Sequence, residues 1–247
     1  MKRIPNINIT QREYENFQKN FCQRGGEGII CHKDDTSLYK LFIDPKGNAS
    51  PMPENKQVKI LSLYQKNLLY SVKPLSTISY QGEIVGYQMT YNPHDCPLED
   101  IALLDRKTLI KILKKSKNIL EYFASKDITY GDVTADNILV NIKTGEITFC
   151  DIDNMRVGTH KIDTIGSVLA RYYEKTGIID AKADAYMHNL LTIKKLSCPN
   201  QYESEIIKDL RREIYPKKFK QHAQQVFQSM TTPEKFNGEY VIKYVKR

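Results

Sequence analysis

The sequence lacks any run of about 18 consecutive apolar residues, the length typical of a membrane-spanning helix. Its first residues lead directly into polar sequence, so it predicts neither a membrane span nor a secretory signal. The five cysteines have no paired spacing and the five histidines no ligand spacing, which argues against a disulfide framework or a zinc site. Reduced thiols are typical of a cytoplasmic protein, and export into a host stays open.

The length and net charge of the chain further limit the class of protein. A chain of 247 residues can bury a real core, as one two-lobed unit or as two small domains. The formal net charge is +8, with basic clusters at residues 111–117, 211–220 and 243–247. The first cluster lies on the polar face of a predicted amphipathic helix, and no nucleic-acid-binding motif accompanies it. We therefore expect a solvated basic surface, with neither nucleic acid nor a membrane as partner.

The most informative pattern is an acid, an amide and a second acid separated by short apolar runs. Asp132 and Asn137 precede the run 138–140, and a turn at Gly145 and a second run precede Asp151. The two runs predict a β-hairpin, which would place Asn137 and Asp151 at adjacent strand ends. Oxygen ligands of this kind suit Mg²⁺, and the layout is typical of phosphoryl transfer from ATP. A surface hairpin with solvated polar ends is the alternative.

A glycine cluster and a lysine in a strand lie upstream. Gly25, Gly26 and Gly28 precede a predicted strand, and Lys40 lies among apolar residues of the next one, 37–42. Glycines let backbone amides approach phosphate oxygens, and a buried lysine requires an anion such as an ATP phosphate or a helix carboxylate. Each feature alone is usual in a hairpin turn or an edge strand. The order of glycine cluster, strand lysine, acid, amide and second acid along the chain is a more specific signal than any one of these features.

With these motifs the chain resembles the protein kinase-like superfamily over nearly its whole length. The resemblance implies an α+β, bilobal fold, with an N-lobe of small antiparallel β-sheet over residues 1–91 and a mainly helical C-lobe over residues 92–247. It also implies an enzyme, a kinase that requires ATP and Mg²⁺. Lys40 would orient the phosphates, Asn137 and Asp151 would hold the metal, and Asp132 would position the acceptor hydroxyl and take up its proton.

The resemblance assigns further residues to the nucleotide. Apolar side chains would pack on the purine, and backbone groups near the end of a strand over residues 83–91 would hydrogen-bond its edge. Asp184 would brace the catalytic loop, which is a structural role. The expected nucleotide contacts are Gly25, Gly26, Gly28, Ile30, Leu38, Lys40, Glu54, Met89, Thr90, Tyr91 and Leu139.

Apolar spacing predicts helices over residues 54–65 and 103–125, and two further helices are expected over residues 181–196 and 203–214. The first follows Pro53, which suits a helix start. Its apolar face is either Val58, Leu61 and Tyr64 or Ile60 and Leu63. In the related family a glutamate of this helix pairs with the strand lysine. Here Glu54 is the only acid, and Gln57 is the alternative partner of Lys40.

The motifs also depart from the family pattern. The catalytic loop reads Tyr130, Gly131, Asp132, without the family's arginine, and is similar in this to aminoglycoside and choline kinases. Asp153 replaces the glycine of the metal-binding motif, either as a further ligand or as the cap of a turn. A protein serine/threonine kinase-like enzyme of bacterial or phage type is the first hypothesis. A small-molecule kinase and a pseudokinase or binding scaffold are the alternatives, so the hydroxyl acceptor stays unknown.

Overall fold

The computed structural model describes residues 3–25, 27–101, 104–158 and 167–246. Within them the fold is α+β, with seven α-helices and three β-sheets. The chain divides into two compact units. The first contains the residues up to Asp95 together with Asn141–Thr144 and Thr148–Asp153, and the second contains the remainder. The predicted lobe boundary between residues 91 and 92 stays a prediction.

A six-stranded sheet, in the order β1-β5-β6-β4-β3-β2, organises the first unit. All of its neighbouring strands are antiparallel except β1 and β5, which are parallel. The expectation of an antiparallel sheet is therefore corrected to a mixed sheet. No hairpin turn fixes the direction of β1, because it pairs with a strand far along the chain. The strands are β1 (Asn6–Asn8), β2 (Gln23–Arg24), β3 (Gly28–Asp34), β4 (Ser37–Phe42), β5 (Pro74–Tyr80) and β6 (Glu83–Thr90).

The two faces of β4 have different surroundings, because successive side chains of a strand point to opposite faces. Tyr39 and Leu41 belong to an apolar core that includes Tyr14 of helix α1 (Gln11–Lys19). Lys40 therefore points to the opposite face of the sheet. There it meets polar partners, although its side chain is only 11% exposed.

Helix α2 (Glu54–Lys66) forms where the sequence predicts it, directly after Pro53. Ile60 and Leu63 are buried whereas Val58 is 37% exposed, so the second of the two predicted apolar faces packs inward. Lys56 is buried on the same side, because positions three and four residues apart share a helix face. A lysine thus occupies a position in the buried stripe of the helix.

Two glycines allow close backbone packing on either side of β4. A Cβ atom at Gly86 would overlap the carbonyl oxygen of Lys40, and one at Gly28 would overlap the carbonyl oxygen of Leu41. Neither neighbour is a flexible side chain, so neither can move aside. Gly28 is therefore required by the packing of the sheet, whatever further part it has in binding.

The second unit is mainly helical, and none of the helices described is both long and apolar enough to cross a bilayer. Two short sheets have the orders β10-β9-β7 and β11-β8, and the division between the units runs through β7, β9 and β10. The apolar runs around Gly145 thus form neighbouring strands. The elements are β7 (Asp95–Pro97), α3 (Arg106–Ser125), β8 (Ile128–Thr129), β9 (Ile138–Asn141), β10 (Ile147–Phe149), β11 (Arg156–Val157), α4 (Ser167–Thr176), α5 (Ala181–Ser197), α6 (Glu203–Arg211) and α7 (Gln224–Met230).

Side-chain caps explain where two of these helices begin. Asp105 accepts hydrogen bonds from two backbone amides at the start of α3, and Asp180 does the same at the start of α5. The predicted start of α3 at Leu103 lies outside the described residues. Helix α6 ends before its predicted end at residue 214, because Glu213 has a φ of +59°, a left-handed conformation that does not continue a helix.

Candidate functional site

Lys40 and Asp151 meet within the first unit. The Lys40 amine Nζ lies 2.5 Å from Asp151 Oδ1 and 2.6 Å from Asp153 Oδ1. The side chain of Asp151 is 28% exposed, whereas that of Asp153 is fully buried. The structure therefore brings together the strand lysine and the acid that the sequence analysis assigned to one nucleotide site.

Asp153 is the central carboxylate of this cluster. Its Oδ1 accepts hydrogen bonds from Lys40 and from the Tyr87 hydroxyl at 2.8 Å, and its Oδ2 accepts one from Lys56 Nζ at 3.0 Å. Burial raises the pKa of Asp153, but the ammonium groups of Lys40 and Lys56 more than offset this, so the pKa lies well below its ordinary range. Asp153 is therefore an ionised counter-ion shared by two lysines.

Both lysines keep their charge although they are buried. Burial lowers the pKa of Lys40, and the carboxylates of Asp153 and Asp151 reverse this effect and raise it above the ordinary value. The pKa of Lys56 is likewise lowered by burial and raised on balance by Asp153 and Glu27. The cluster thus holds two permanent positive charges in a nearly dry environment.

The expected partner of Lys40 from helix α2 is corrected. Glu54 is exposed in the first turn of the helix, and Gln57 Nε2 donates to the carbonyl oxygen of Met52 at 2.7 Å. The helix instead directs Lys56 into the cluster, so the charge on this side is opposite to the one expected. A lysine cannot neutralise Lys40, and Asp153 binds both amines instead.

The backbone at Asp151 has an unusual conformation. Its φ is +54°, in the left-handed region that residues other than glycine rarely adopt. Aspartate and asparagine tolerate this region better than other side chains do. Such conformations cost free energy and are concentrated at functional sites. The turn directs the Asp151 carboxylate toward Lys40.

The register of the sheet places other predicted nucleotide contacts on the face that carries Lys40. Ile30 lies directly opposite Lys40, and Leu38 lies directly opposite Met89. Directly paired residues share a face, and so do alternate residues of one strand. Ile30 and Leu38 are half-buried on this face, whereas Leu139 is half-buried in β9 of the second unit.

Two of the backbone groups expected to contact the nucleotide near the end of β6 already have partners in the protein, and the contribution of the others stays a prediction. The N–H of Thr90 donates to the Lys73 carbonyl oxygen at 2.9 Å, and the N–H of Tyr91 donates to the Thr36 carbonyl oxygen at 2.7 Å. These amides are therefore engaged within the protein and do not point to a ligand. In the glycine cluster, Gly25 N–H donates to the Gly28 carbonyl oxygen at 2.8 Å, and Gly26 lies outside the described residues.

Asp132 and Asn137 form a pair in the second unit. Asn137 Nδ2 donates to Asp132 Oδ2 at 2.7 Å and to the Asp132 carbonyl oxygen at 3.2 Å. The amide thereby fixes the orientation of the carboxylate, which is half-buried. A carboxylate held in this way can accept a proton from a bound hydroxyl group.

Asp184 supports the loop that carries Asp132. It is buried, its Oδ2 accepts from the N–H of Tyr130 at 2.8 Å, and its Oδ1 accepts from the N–H of Gly131 at 2.7 Å. Burial raises the pKa of Asp184 to about 7, although the two N–H groups act to lower it. The predicted bracing of this loop is confirmed. Gly131 has a φ of +81°, which explains why glycine occupies this position.

Replacing Asp184 with alanine will therefore destabilise the second unit. Two buried N–H groups lose their acceptor, and we expect the free energy of unfolding to fall by about 2–4 kcal/mol. Urea denaturation would measure this loss. Asp180→Ala is the matched control, because Asp180 also accepts from two backbone amides, at the start of the same helix, and losing such a cap costs about 1 kcal/mol. An equal loss in both variants would contradict the bracing role.

The chain offers hard oxygen donors for a metal ion. No group of three or more His, Cys, Asp or Glu side chains suited to a metal occurs in the described part of the chain. Mg²⁺ usually takes only one or two protein carboxylates, together with water and substrate phosphates. The carboxylate of Asp151 in the first unit and the amide oxygen of Asn137 in the second unit are donors of this type, and their binding of one metal ion stays a prediction.

Two groups of side chains with reactive chemistry are thus present. The first unit contains the cluster of Lys40, Lys56, Asp151 and Asp153, and the second contains the Asp132–Asn137 pair. No protein-family model and no curated protein matches this chain. The residue chemistry therefore carries the functional argument.

Sequence reasoning missed Lys56 and its contact with Glu27. A lysine in an amphipathic helix usually faces solvent, so it was not considered for the site. One signal was present, because Lys56 lies four residues before Ile60, in the stripe that proved to be buried. A lysine in the apolar stripe of a helix requires an acid to bind it.

Proposed function

We propose that this protein is an ATP- and Mg²⁺-dependent phosphotransferase whose acceptor is a hydroxyl group, with serine or threonine of a protein as the first candidate. The observation that carries the proposal is the contact of 2.5 Å between Lys40, in a central strand, and Asp151, after β10. It supplies a permanent cation for phosphate oxygens beside a partly exposed carboxylate for a metal. The Asp132–Asn137 pair supplies a proton acceptor of fixed orientation.

Each residue has a defined part in the proposed reaction. Lys40 binds phosphate oxygens and orients the triphosphate, as its rigid strand and buried stem allow. Asp151 and Asn137 would hold Mg²⁺, which supplies neutralisation of the phosphate charge. The acceptor oxygen forms a bond to the γ-phosphorus while the bond from that phosphorus to the ADP oxygen breaks. The hydroxyl proton passes to the Asp132 carboxylate.

Nucleotide binding is the direct test of the proposal. We expect Mg²⁺ and ATP together to raise the melting temperature, because a ligand that binds only the folded state stabilises it by about 2.7 kcal/mol at 100 times its dissociation constant. Thermal unfolding with ATP and Mg²⁺, with ATP and a chelator, and with AMP would measure the shift. The absence of any metal-dependent shift would favour a binding scaffold instead.

The acceptor class requires a second experiment. Incubation with γ-labelled ATP and either a protein mixture or a metabolite mixture separates the two kinds of kinase. Label on protein, including the enzyme itself, supports the serine or threonine acceptor. Label only on metabolites would favour a small-molecule kinase, whose catalytic loop also has a glycine before the aspartate.

A further inference from the structure

A second lysine contacts the glycine cluster that is expected to cover phosphates. Glu27 lies between Gly25 and Gly28, and its Oε2 is 2.5 Å from Lys56 Nζ. The side chain of Lys56 is only 4% exposed, whereas that of Glu27 is 39% exposed. The contact therefore joins a fixed, buried cation to an acid at the surface.

Lys40 and Lys56 form one cationic group around Asp153. Their amines bind the two oxygens of this carboxylate, and they lie 5.9 Å and 5.2 Å from the centroid of the Phe42 ring. Two ammonium groups and one carboxylate leave a net charge of +1 in the buried part. Asp151 and Glu27, which are both partly exposed, add two further carboxylates, so the five charged groups sum to −1.

We propose that Lys56 is a second phosphate-binding residue, whose amine is covered by the Glu27 carboxylate until phosphate oxygens of a nucleotide replace it. The inference rests on the proposed function, because it names a further residue for the same triphosphate. A carboxylate and a phosphate accept the same charge-assisted hydrogen bonds from an ammonium group. Glu27 is the replaceable partner, since its side chain is 39% exposed and can turn toward water, whereas the side chain of Asp153 is fully buried.

The arrangement predicts opposite effects for the two partners. Without the Lys56 amine, phosphate oxygens lose a charge-assisted hydrogen bond in a buried setting, where such bonds are strong. Without the Glu27 charge, the entering phosphate no longer competes with this carboxylate for the Lys56 amine and meets one like charge fewer. An ion pair with only a structural role would not predict that Glu27→Gln strengthens binding.

Calorimetric titration of the full chain with inorganic tripolyphosphate, with ATP and Mg²⁺, and with adenosine tests the inference. We expect Lys56→Met to weaken the binding of tripolyphosphate and ATP by about tenfold or more and to leave adenosine unaffected. We expect Glu27→Gln to strengthen the binding of both anions severalfold. Lys66→Met, at the exposed end of the same helix, and Glu83→Gln, an exposed acid of the first unit, are matched controls without effect.

Each outcome decides between the inference and the proposed function. If the wild type binds ATP and transfers phosphate while folded Lys56→Met binds as tightly, the inference is wrong and the function stands. If tripolyphosphate binding depends on Lys56 but no phosphate is transferred from ATP, the inference stands and the function is wrong. Should Lys56→Met fail to fold, Lys56→Arg and Glu27→Gln decide, and unchanged or weaker anion binding by Glu27→Gln overturns the inference. Absence of any anion binding by the wild type also overturns it.

Discussion

For the proposed phosphotransferase, we expect Asp132→Asn to lower the rate constant of phosphoryl transfer by about a thousandfold, because general-base catalysis contributes about 10²–10⁴-fold. An amide has the same shape as the carboxylate but cannot accept the hydroxyl proton. Asn137 can still hydrogen-bond to it, so we expect the free energy of unfolding to change by less than about 1 kcal/mol. Single-turnover kinetics with saturating ATP would measure the loss in the chemical step.

We expect Asp151→Asn to abolish the proposed transfer, and here the choice of asparagine matters. Alanine at a φ of +54° would add about 1–2 kcal/mol of backbone strain, which would be confused with the loss of charge. Asparagine tolerates this conformation. Asp136→Asn, an exposed acid in the loop of Asp132, is the control and should keep its activity. Full activity in Asp132→Asn or Asp151→Asn would refute the assigned role.

Removing the carboxylate of Asp153 will have the largest effect on stability. Asp153→Ala leaves Lys40 and Lys56 close together without their shared counter-ion, and it removes the acceptor of the Tyr87 hydroxyl. Breaking a buried ion pair in this way costs about 3–5 kcal/mol. Chemical denaturation at pH 7 would measure this loss.

The loss of stability in Asp153→Ala should depend on pH in a definite direction. Burial lowers the pKa of both lysines, and without Asp153 less remains to raise it. A base whose pKa is lower in the folded state than in the unfolded state gains stability as the pH rises. The deficit of Asp153→Ala relative to the wild type should therefore shrink as the pH rises toward the ordinary pKa of lysine, about 10.4.

A double variant tests whether the contributions of Asp153 and Lys56 to stability are coupled. In Asp153→Ala with Lys56→Met, one of the two cations that shared this counter-ion is gone, so we expect part of the lost stability to return. The effects of the two substitutions should then be far from additive, as expected for residues in direct contact. Additive effects would show that the two side chains are not coupled.

Local features made much of the fold predictable. The helices α2 and α3 follow apolar spacing, and Asp105 and Asp180 fix the starts of α3 and α5. The turn at Gly145, with a φ of +69°, joins the two apolar runs that became β9 and β10. Each of these signals lies within a few residues of the structure that it specifies.

Long-range partners were not predictable in the same way. Strand β1 pairs with β5, which lies far along the chain, and no connecting turn indicates that the two strands are parallel. Lys56 finds its carboxylate 97 residues later in the chain, at Asp153. The sequence predicts that Asp153 either binds a metal or caps a turn. The residues near Asp153 in the chain do not indicate that the Lys56 side chain is buried and points toward it.

The close approach of Gly86 to the Lys40 carbonyl oxygen limits how this protein can vary. Any side chain at position 86 would push the backbone of β4 away and move the amine that the cluster depends on. Mutational libraries selected for function should therefore return only glycine there, although Gly86 carries no reactive group. The position of the Lys40 amine thus depends on the lack of a side chain at position 86.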